Sequence, residues 1–351
     1  MLSLLLFFAC ETEKPAPKPV EAPKPVAAPT VTVAKEKLAL FGALPTDMKA
    51  EKYASTPELV ALGRVLYYEN RLSKNQDISC NSCHQLDAYG VDGKPTSPGH
   101  KGQLGSRNSP TSYNAAGHFV QFWDGRAADV EAQAKGPVLN PVEMAMPGEK
   151  QVVAILKSIP GYEALFKAAF PNDKDPITYD NVALAIGAFE RGLVTPSPWD
   201  RFLAGDDSAL TEAQKKGFNT YMDVGCATCH SGTYVGGSMY QKAGLVVPWP
   251  STADKGRGAL NNNEAENFMF KVPGLRNIEK TAPYFHDGSV ADLDEAIRMM
   301  GKHQLGKELS PEQVADIRAY LGALTGEIPA SYVAKPALPE SGPKTPKPDP
   351  S

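Results

Sequence analysis

The sequence predicts a mainly α-helical body of two domains with long loops, and three observations carry the prediction. Cys-Xaa-Xaa-Cys-His occurs twice, at Cys80–His84 and at Cys226–His230. Apolar residues recur at helical spacing ahead of the first copy, at Leu59, Leu62 and Leu66, and a similar stretch precedes the second. Few segments alternate at the period of two expected of a half-buried strand. Without its Pro-rich ends the chain keeps about 300 residues, which suits two domains with one motif each.

Taken in order, Leu2 to Ala9 is an apolar run too short to span a bilayer, and it ends at Cys10. It looks like the end of a secretory h-region without the usual positive n-region. Ala9-Cys10 resembles a bacterial lipoprotein cleavage site, which Phe7 and Phe8 match poorly; ordinary signal cleavage nearby, or a chain that starts late, is the alternative. A single lipid at Cys10 would hold the protein only marginally. Glu13 to Thr30 is rich in Pro, Ala, Lys and Glu, a composition that favours extended polyproline II over a packed core. Residues 1–34 are therefore expected to be a signal or lipoprotein-like N-terminus and linker. Residues 335–351 share that composition and are expected to be a disordered tail.

Between them, residues 35–195 form the expected N-terminal domain and 196–334 the C-terminal one. Thr56 and Thr211 read as helix starts, each with Glu near the first turn. Tyr179 to Arg191 and Pro311 to Leu324 read as the closing helices of the two halves, and Asp292 to Met300 as a helix ending before Gly301. The boundary is expected in Thr195-Pro-Ser-Pro-Trp199, where two prolines interrupt helix.

The repeated motif has a chemical reason. Two thiols three positions apart can add to the two vinyl groups of one porphyrin, and the following histidine can bind its iron. Cys80, Cys83 and His84, and Cys226, Cys229 and His230, would thus hold two covalent c-type haems. The alternative is a pair of zinc half-sites, whose ligands would have to converge from distant stretches of chain. Four of the five cysteines lie in the motifs, so no disulfide framework is available. Covalent haem attachment takes place outside the bacterial cytoplasm, which implies an exported, periplasmic protein. A formal net charge of −4 does not suggest a nucleic-acid partner. A helix leading into such a motif is also how class I cytochrome c domains begin, so the expected architecture is two cytochrome-c-like domains.

The second axial position decides what a haem does: a bound His or Met favours electron transfer, an open position permits peroxide or oxygen chemistry. Four histidines remain outside the motifs: His100, His118, His286 and His303. His100 lies in a glycine-rich stretch, Thr96 to Gly105, read as a flexible loop; it could reach the first haem or face solvent. Met299 and Met300 end a helix and could be core residues or a ligand of the second haem. Structural roles are expected for His118, His286 and His303.

Several uncommon runs distinguish the two halves. They are Arg107 to Ala115, Phe122-Trp-Asp-Gly-Arg-Ala-Ala128, Glu131-Ala-Gln133, Gly136 to Met144, Phe270-Lys-Val-Pro-Gly-Leu-Arg-Asn277, Thr281-Ala-Pro-Tyr-Phe-His-Asp-Gly288 and Met300 to Gly306. Together with both motifs they closely resemble the bacterial di-haem cytochrome c peroxidases, from about Glu51 to Leu324. The resemblance implies a periplasmic enzyme that reduces hydrogen peroxide with electrons from a small c-type cytochrome. It implies that the first haem, with His84 proximal, is peroxidatic, that His100 is its removable distal ligand, and that Gln133 and Glu143 line the peroxide pocket. The second haem, ligated by His230 and Met300, would be the high-potential electron inlet, with Trp123 between the haems. Asn108, Thr281 and Pro283 would surround a calcium ion, and a homodimer is implied. A carboxylate in a largely apolar pocket has a raised pKa and can move a proton during O–O cleavage, the role expected of Glu143. Two rivals are a non-enzymatic electron-transfer cytochrome, which has no need of Gln133 or Glu143, and a MauG-type protein-modifying enzyme, against which His100 and Met300 argue.

Overall fold

A computed structural model of the chain describes residues 31–53 and 55–351. The N-terminal features, including Cys10 and the linker to Thr30, lie outside the described residues. The body is mainly helical. Its one sheet among the described residues is a two-stranded antiparallel ribbon, Tyr240–Lys242 against Met269–Lys271, with Tyr240 opposite Lys271.

The helices start where local chemistry says they should. Thr56 caps Pro57–Tyr67 by accepting the Leu59 N–H at 3.2 Å. Thr211 and Gln214 form a reciprocal capping box at the start of Glu212–Val224. Thr178 caps Tyr179–Glu190, and Ser310 caps Pro311–Ala323. One boundary differs from expectation. The helix carrying Met300 runs from Leu293 to Leu305, past Gly301, and ends at Gly306 in the left-handed conformation (φ 65°). Gly301 is interior because the chain returns against it: a Cβ there would lie 2.7 Å from Leu309. The helices Val130–Leu139, Glu149–Ser158 and Pro160–Ala169 complete the first half, and Pro198–Leu203 opens the second.

Two hydrophobic cores result, one built on Leu62, Leu66, Phe166 and Phe189, the other on Trp199, Phe218, Tyr320 and Leu321. In each, the helix ahead of the motif crosses a later helix at a glycine. A Cβ on Gly63 would sit 1.8 Å from the Ala185 carbonyl oxygen, and one on Gly217 would sit 2.0 Å from that of Asp316. Backbone contact this close admits no side chain. Gly63→Ala and Gly217→Ala are each expected to cost about 1–3 kcal/mol of stability, read as a lowered Tm in thermal denaturation; unchanged melting would show that the crossings relax freely.

The ends of the chain are exchanged between the cores. Val33, Leu38 and Phe41 pack on the second core, with the Phe41 ring 5.5 Å from both Trp199 and Phe218. Val333 belongs to the first, where Tyr332 stacks on Phe189 at 5.1 Å. The packing therefore departs from the expected division at 35 and 334: the apolar residues just inside each Pro-rich end are buried by the distant half. Residues 335–351, expected as a disordered tail, are laid along the first core instead. Leu338 packs there, Arg71 donates to the Pro339 carbonyl at 2.7 Å, and the Asp349 N–H donates to the Lys74 carbonyl at 3.1 Å. Composition does not register such docking, because it depends on side chains and carbonyls of the other end. Between the cores Thr195 is fully buried, its hydroxyl taking a 2.8 Å hydrogen bond from Asn114 and another from Asn277, so the junction is tied from both halves.

Candidate active site

The two motifs are held in the same way. Cys80–Cys83 forms a single helical turn and Cys226–Thr228 a 3-10 turn, and each turn closes with the histidine N–H on the first cysteine's carbonyl at 3.0 Å. The Tyr67 hydroxyl donates to the His84 carbonyl at 3.0 Å, and the Tyr221 hydroxyl does the same to His230. A proline carbonyl then takes each ring: His84 Nδ1 meets Pro110 at 2.9 Å, and His230 Nδ1 meets Pro273 at 3.1 Å. With Nδ1–H committed to a carbonyl, the lone pair sits on Nε2, the tautomer and orientation a metal-binding imidazole requires. Desolvation pushes both imidazoles below their ordinary pKa, His230 to about 4, so both rings are held neutral. The four thiols are unpaired, and burial pushes Cys226 up to about 12. Paired free thiols beside a neutral, pre-aimed imidazole fit covalent haem. Among the described residues no three His, Cys, Asp or Glu side chains converge as the zinc alternative would require.

The second motif opens into a largely apolar cavity of about 250 Å³. Cys226, Cys229, His230 and Met300 line it, and so do Trp123, Asn108, Thr281 and Pro283. The fold thus brings together residues scattered over much of the sequence. The cavity also touches Pro110, the residue that holds His84, and so extends from one histidine's support to the other's. Trp123 is fixed there by its indole N–H on the Asn108 carbonyl at 2.9 Å, with His286 edge-on at 6.4 Å. The Asn108 amide donates to the Lys94 carbonyl at 3.0 Å.

The other set lies around Glu143. His100 is 5% exposed, which excludes a solvent-facing ring. Its loop is an ordered 3-10 turn, His100–Gly102, closed by a bridge between Pro98 and Leu104. The His100 N–H donates to the Glu143 carbonyl at 2.7 Å, so the loop rests on the Glu143 turn. His100 Nε2 lies 3.2 Å from the Ser351 carbonyl oxygen. Desolvation raises the Glu143 carboxyl above the ordinary carboxylate range, against the opposing charge of Arg126 and a 2.9 Å hydrogen bond from Asn140. Gln133 is half-buried on Val130–Leu139, and its amide makes no hydrogen bond among the described residues. Pro137, four residues on, withholds the N–H that would have met the Gln133 carbonyl. No hydrogen bond joins Gln133 to Glu143 or His100 among the described residues.

The remaining histidines are packed. His118 contacts Tyr234, His286 stacks on Phe270 at 4.3 Å, and His303 meets the Val247 carbonyl at 3.1 Å. Sequence reasoning missed Tyr67, Tyr221, Pro110 and Pro273 as supports. A signal existed: a tyrosine lies before each motif and an Xaa-Pro run after it, in Asn108-Ser-Pro110 and Lys271-Val-Pro273.

The profile of the di-haem cytochrome c peroxidase family matches residues 57–208. The cytochrome c551 peroxidase of Pseudomonas aeruginosa is 44% identical over 318 residues, 88% of this chain and 90% of that protein. The cytochrome c551 peroxidase of Nitrosomonas europaea is 45% identical over 304 residues, 85% of this chain and 89% of that protein. Among solved structures, a MauG-like protein associated with microbial copper homeostasis superposes with a TM-score of 0.74 at 28% identity, covering 84% of this chain and 97% of that one.

Proposed function

The chain belongs to the di-haem cytochrome c peroxidase family, and on that premise we propose that it reduces hydrogen peroxide to water with electrons from a small c-type cytochrome. The observation that carries this reading is the pair of histidines, each with Nδ1 committed to a proline carbonyl and Nε2 left for iron; Cys83 of the first motif lies within electrostatic reach of the Glu143 carboxyl, whose turn carries the His100 loop. Two covalently attached haems would supply O–O cleavage and one-electron storage. Cys80, Cys83 and His84 would hold one of them, and Cys226, Cys229, His230 and Met300 the other, each in a cytochrome-c-like domain.

The chain's own residues divide the rest of the work. Glu143, whose carboxyl pKa is raised by desolvation, takes a proton from the incoming peroxide in its ionised form and returns it to the departing oxygen. Gln133 orients peroxide by hydrogen bonding. His100 is the removable group: its loop rests on the Glu143 turn, so displacement of the loop and exposure of the carboxyl are coupled. Electrons enter at the His230/Met300 site and pass towards the His84 site, with Trp123 in the cavity that runs from His230 to Pro110, the support of His84. Asn108, Thr281 and Pro283 gather at that cavity; backbone carbonyls and an amide oxygen there suit a hard cation such as calcium. Covalent haem attachment supports a periplasmic location, with Cys10 a candidate lipid anchor and a homodimer as the proposed assembly. Among the described residues no helix is long and apolar enough to cross a membrane.

Electron paramagnetic resonance of the oxidised and half-reduced protein with calcium tests this reading. Reduction of one haem is expected to convert the other from a six-coordinate low-spin signal to a high-spin one as peroxide turnover appears. Fast turnover with the first haem still six-coordinate would sink the gating role of His100. No turnover in any state would favour the electron carrier.

A further inference from the structure

Among the described residues four cationic side chains are buried, Arg191, Lys215, Lys271 and Arg276. Three have carboxylate partners: Arg191 with Glu131 at 2.7 Å, Lys215 with Asp207 at 2.8 Å, and Arg276 with Asp200 at 2.8 Å. Lys271, 6% exposed, forms no ion pair among the described residues. Its Nζ donates to the Val120 carbonyl at 3.2 Å and lies 3.4 Å from His118 Nδ1. His118 is kept neutral by burial and by the lysine's own charge, so neither partner is an anion. Desolvation, unopposed, pushes the Lys271 ammonium down to about 8. A buried ammonium without a counter-anion is costly, and breaking such a pair elsewhere is among the more damaging substitutions known.

The location of Lys271 suggests what supplies the anion. Its backbone N–H donates to the Trp123 carbonyl at 2.7 Å, and it closes the two-stranded ribbon opposite Tyr240. It lines the cavity that contains Cys226, Cys229 and His230. That cavity is otherwise largely apolar, so it provides little competing charge. A haem carries two carboxylates of its own. We propose that Lys271 is a positioning residue for a propionate carboxylate of the haem held at the second motif. The proposal rests on the reading of that motif as a haem site. A fixed cation beside a haem favours the reduced iron, so Lys271 would also help make this site the electron inlet.

The test uses the holoprotein and the variants Lys271→Met, Lys271→Gln and Lys271→Arg. Haem content is measured as the pyridine haemochrome, and the potential of each haem by spectroelectrochemical titration. Two haems per chain are expected throughout. In the Met and Gln variants the reduction equilibrium of the second haem is expected to fall about tenfold, or about 59 mV for one electron, and Arg is expected to restore it. Gln keeps a polar tip and so remains informative if Met prevents folding. Unchanged potentials in the neutral variants, or a shift confined to the first haem, would overturn the proposal. Fewer than two haems in the wild type would overturn the haem assignment itself.

Discussion

Glu143→Gln is expected to lower peroxide turnover by about 10²–10⁴-fold with both haems retained. The carboxyl is half-buried, its turn supports the His100 loop, and Asn140 orients one of its oxygens at 2.9 Å. Glutamine keeps the shape and that contact but cannot carry a proton. The pH dependence makes the result specific. Because desolvation raises the Glu143 pKa above its ordinary 4.5, the ionised base is lost as pH falls through a value higher than that of a solvated carboxylate. The wild-type rate of reaction with peroxide should therefore drop on the acid side with an apparent pKa above 4.5, and the glutamine variant should lack this limb. Stability runs the opposite way. A raised pKa means that the folded state holds the proton more tightly than the unfolded chain. The resulting contribution to stability is fully present below the unfolded pKa and is lost as pH rises through the folded one. At neutral pH the glutamine variant should thus melt no lower than the wild type, so lost activity cannot be ascribed to unfolding. Turnover within twofold of wild type would remove Glu143 from the proton path.

The second large effect is expected for Met300→His. Met300 lies in the wall of the His230 cavity on the Leu293–Leu305 helix, held at its start by Asp292 accepting the Glu295 N–H at 2.9 Å and at its end by Gly306. A thioether ligand favours reduced iron, and replacing it by imidazole should lower the potential of this haem by on the order of 10² mV. Turnover driven by a cytochrome donor should fall at least about tenfold. Turnover driven by a strongly reducing dye should persist, because the Glu143 region is untouched. Spectroelectrochemistry and the two assays run side by side separate these effects. A potential that does not move would show that Met300 is not the ligand.

The two predictions concern unlike sites built from one local pattern, and this bears on how much the chain discloses on reading. Thr56, Thr178, Thr211 and Ser310 cap their helices through bonds spanning three residues, so those starts are legible from neighbours alone. The end of the Met300 helix is not: Gly301 resembles a terminator, and only its packing against Leu309 shows it to be interior. The Pro-rich C-terminal stretch is misleading for a related reason. Its composition cannot form a core of its own, yet it docks on one built by others.

The two Cys-Xaa-Xaa-Cys-His motifs, the helical class and the family are legible from short-range spacing or runs of consecutive residues. How the motifs are used depends on the folded chain. The carbonyls that orient His84 and His230 come from prolines 26 and 43 residues away. The wall joining Met300, Trp123 and Lys271 is assembled from segments that share no local pattern. Orientation, burial and the pairing of charges depend on which distant groups arrive, and that is settled only when the two cores close.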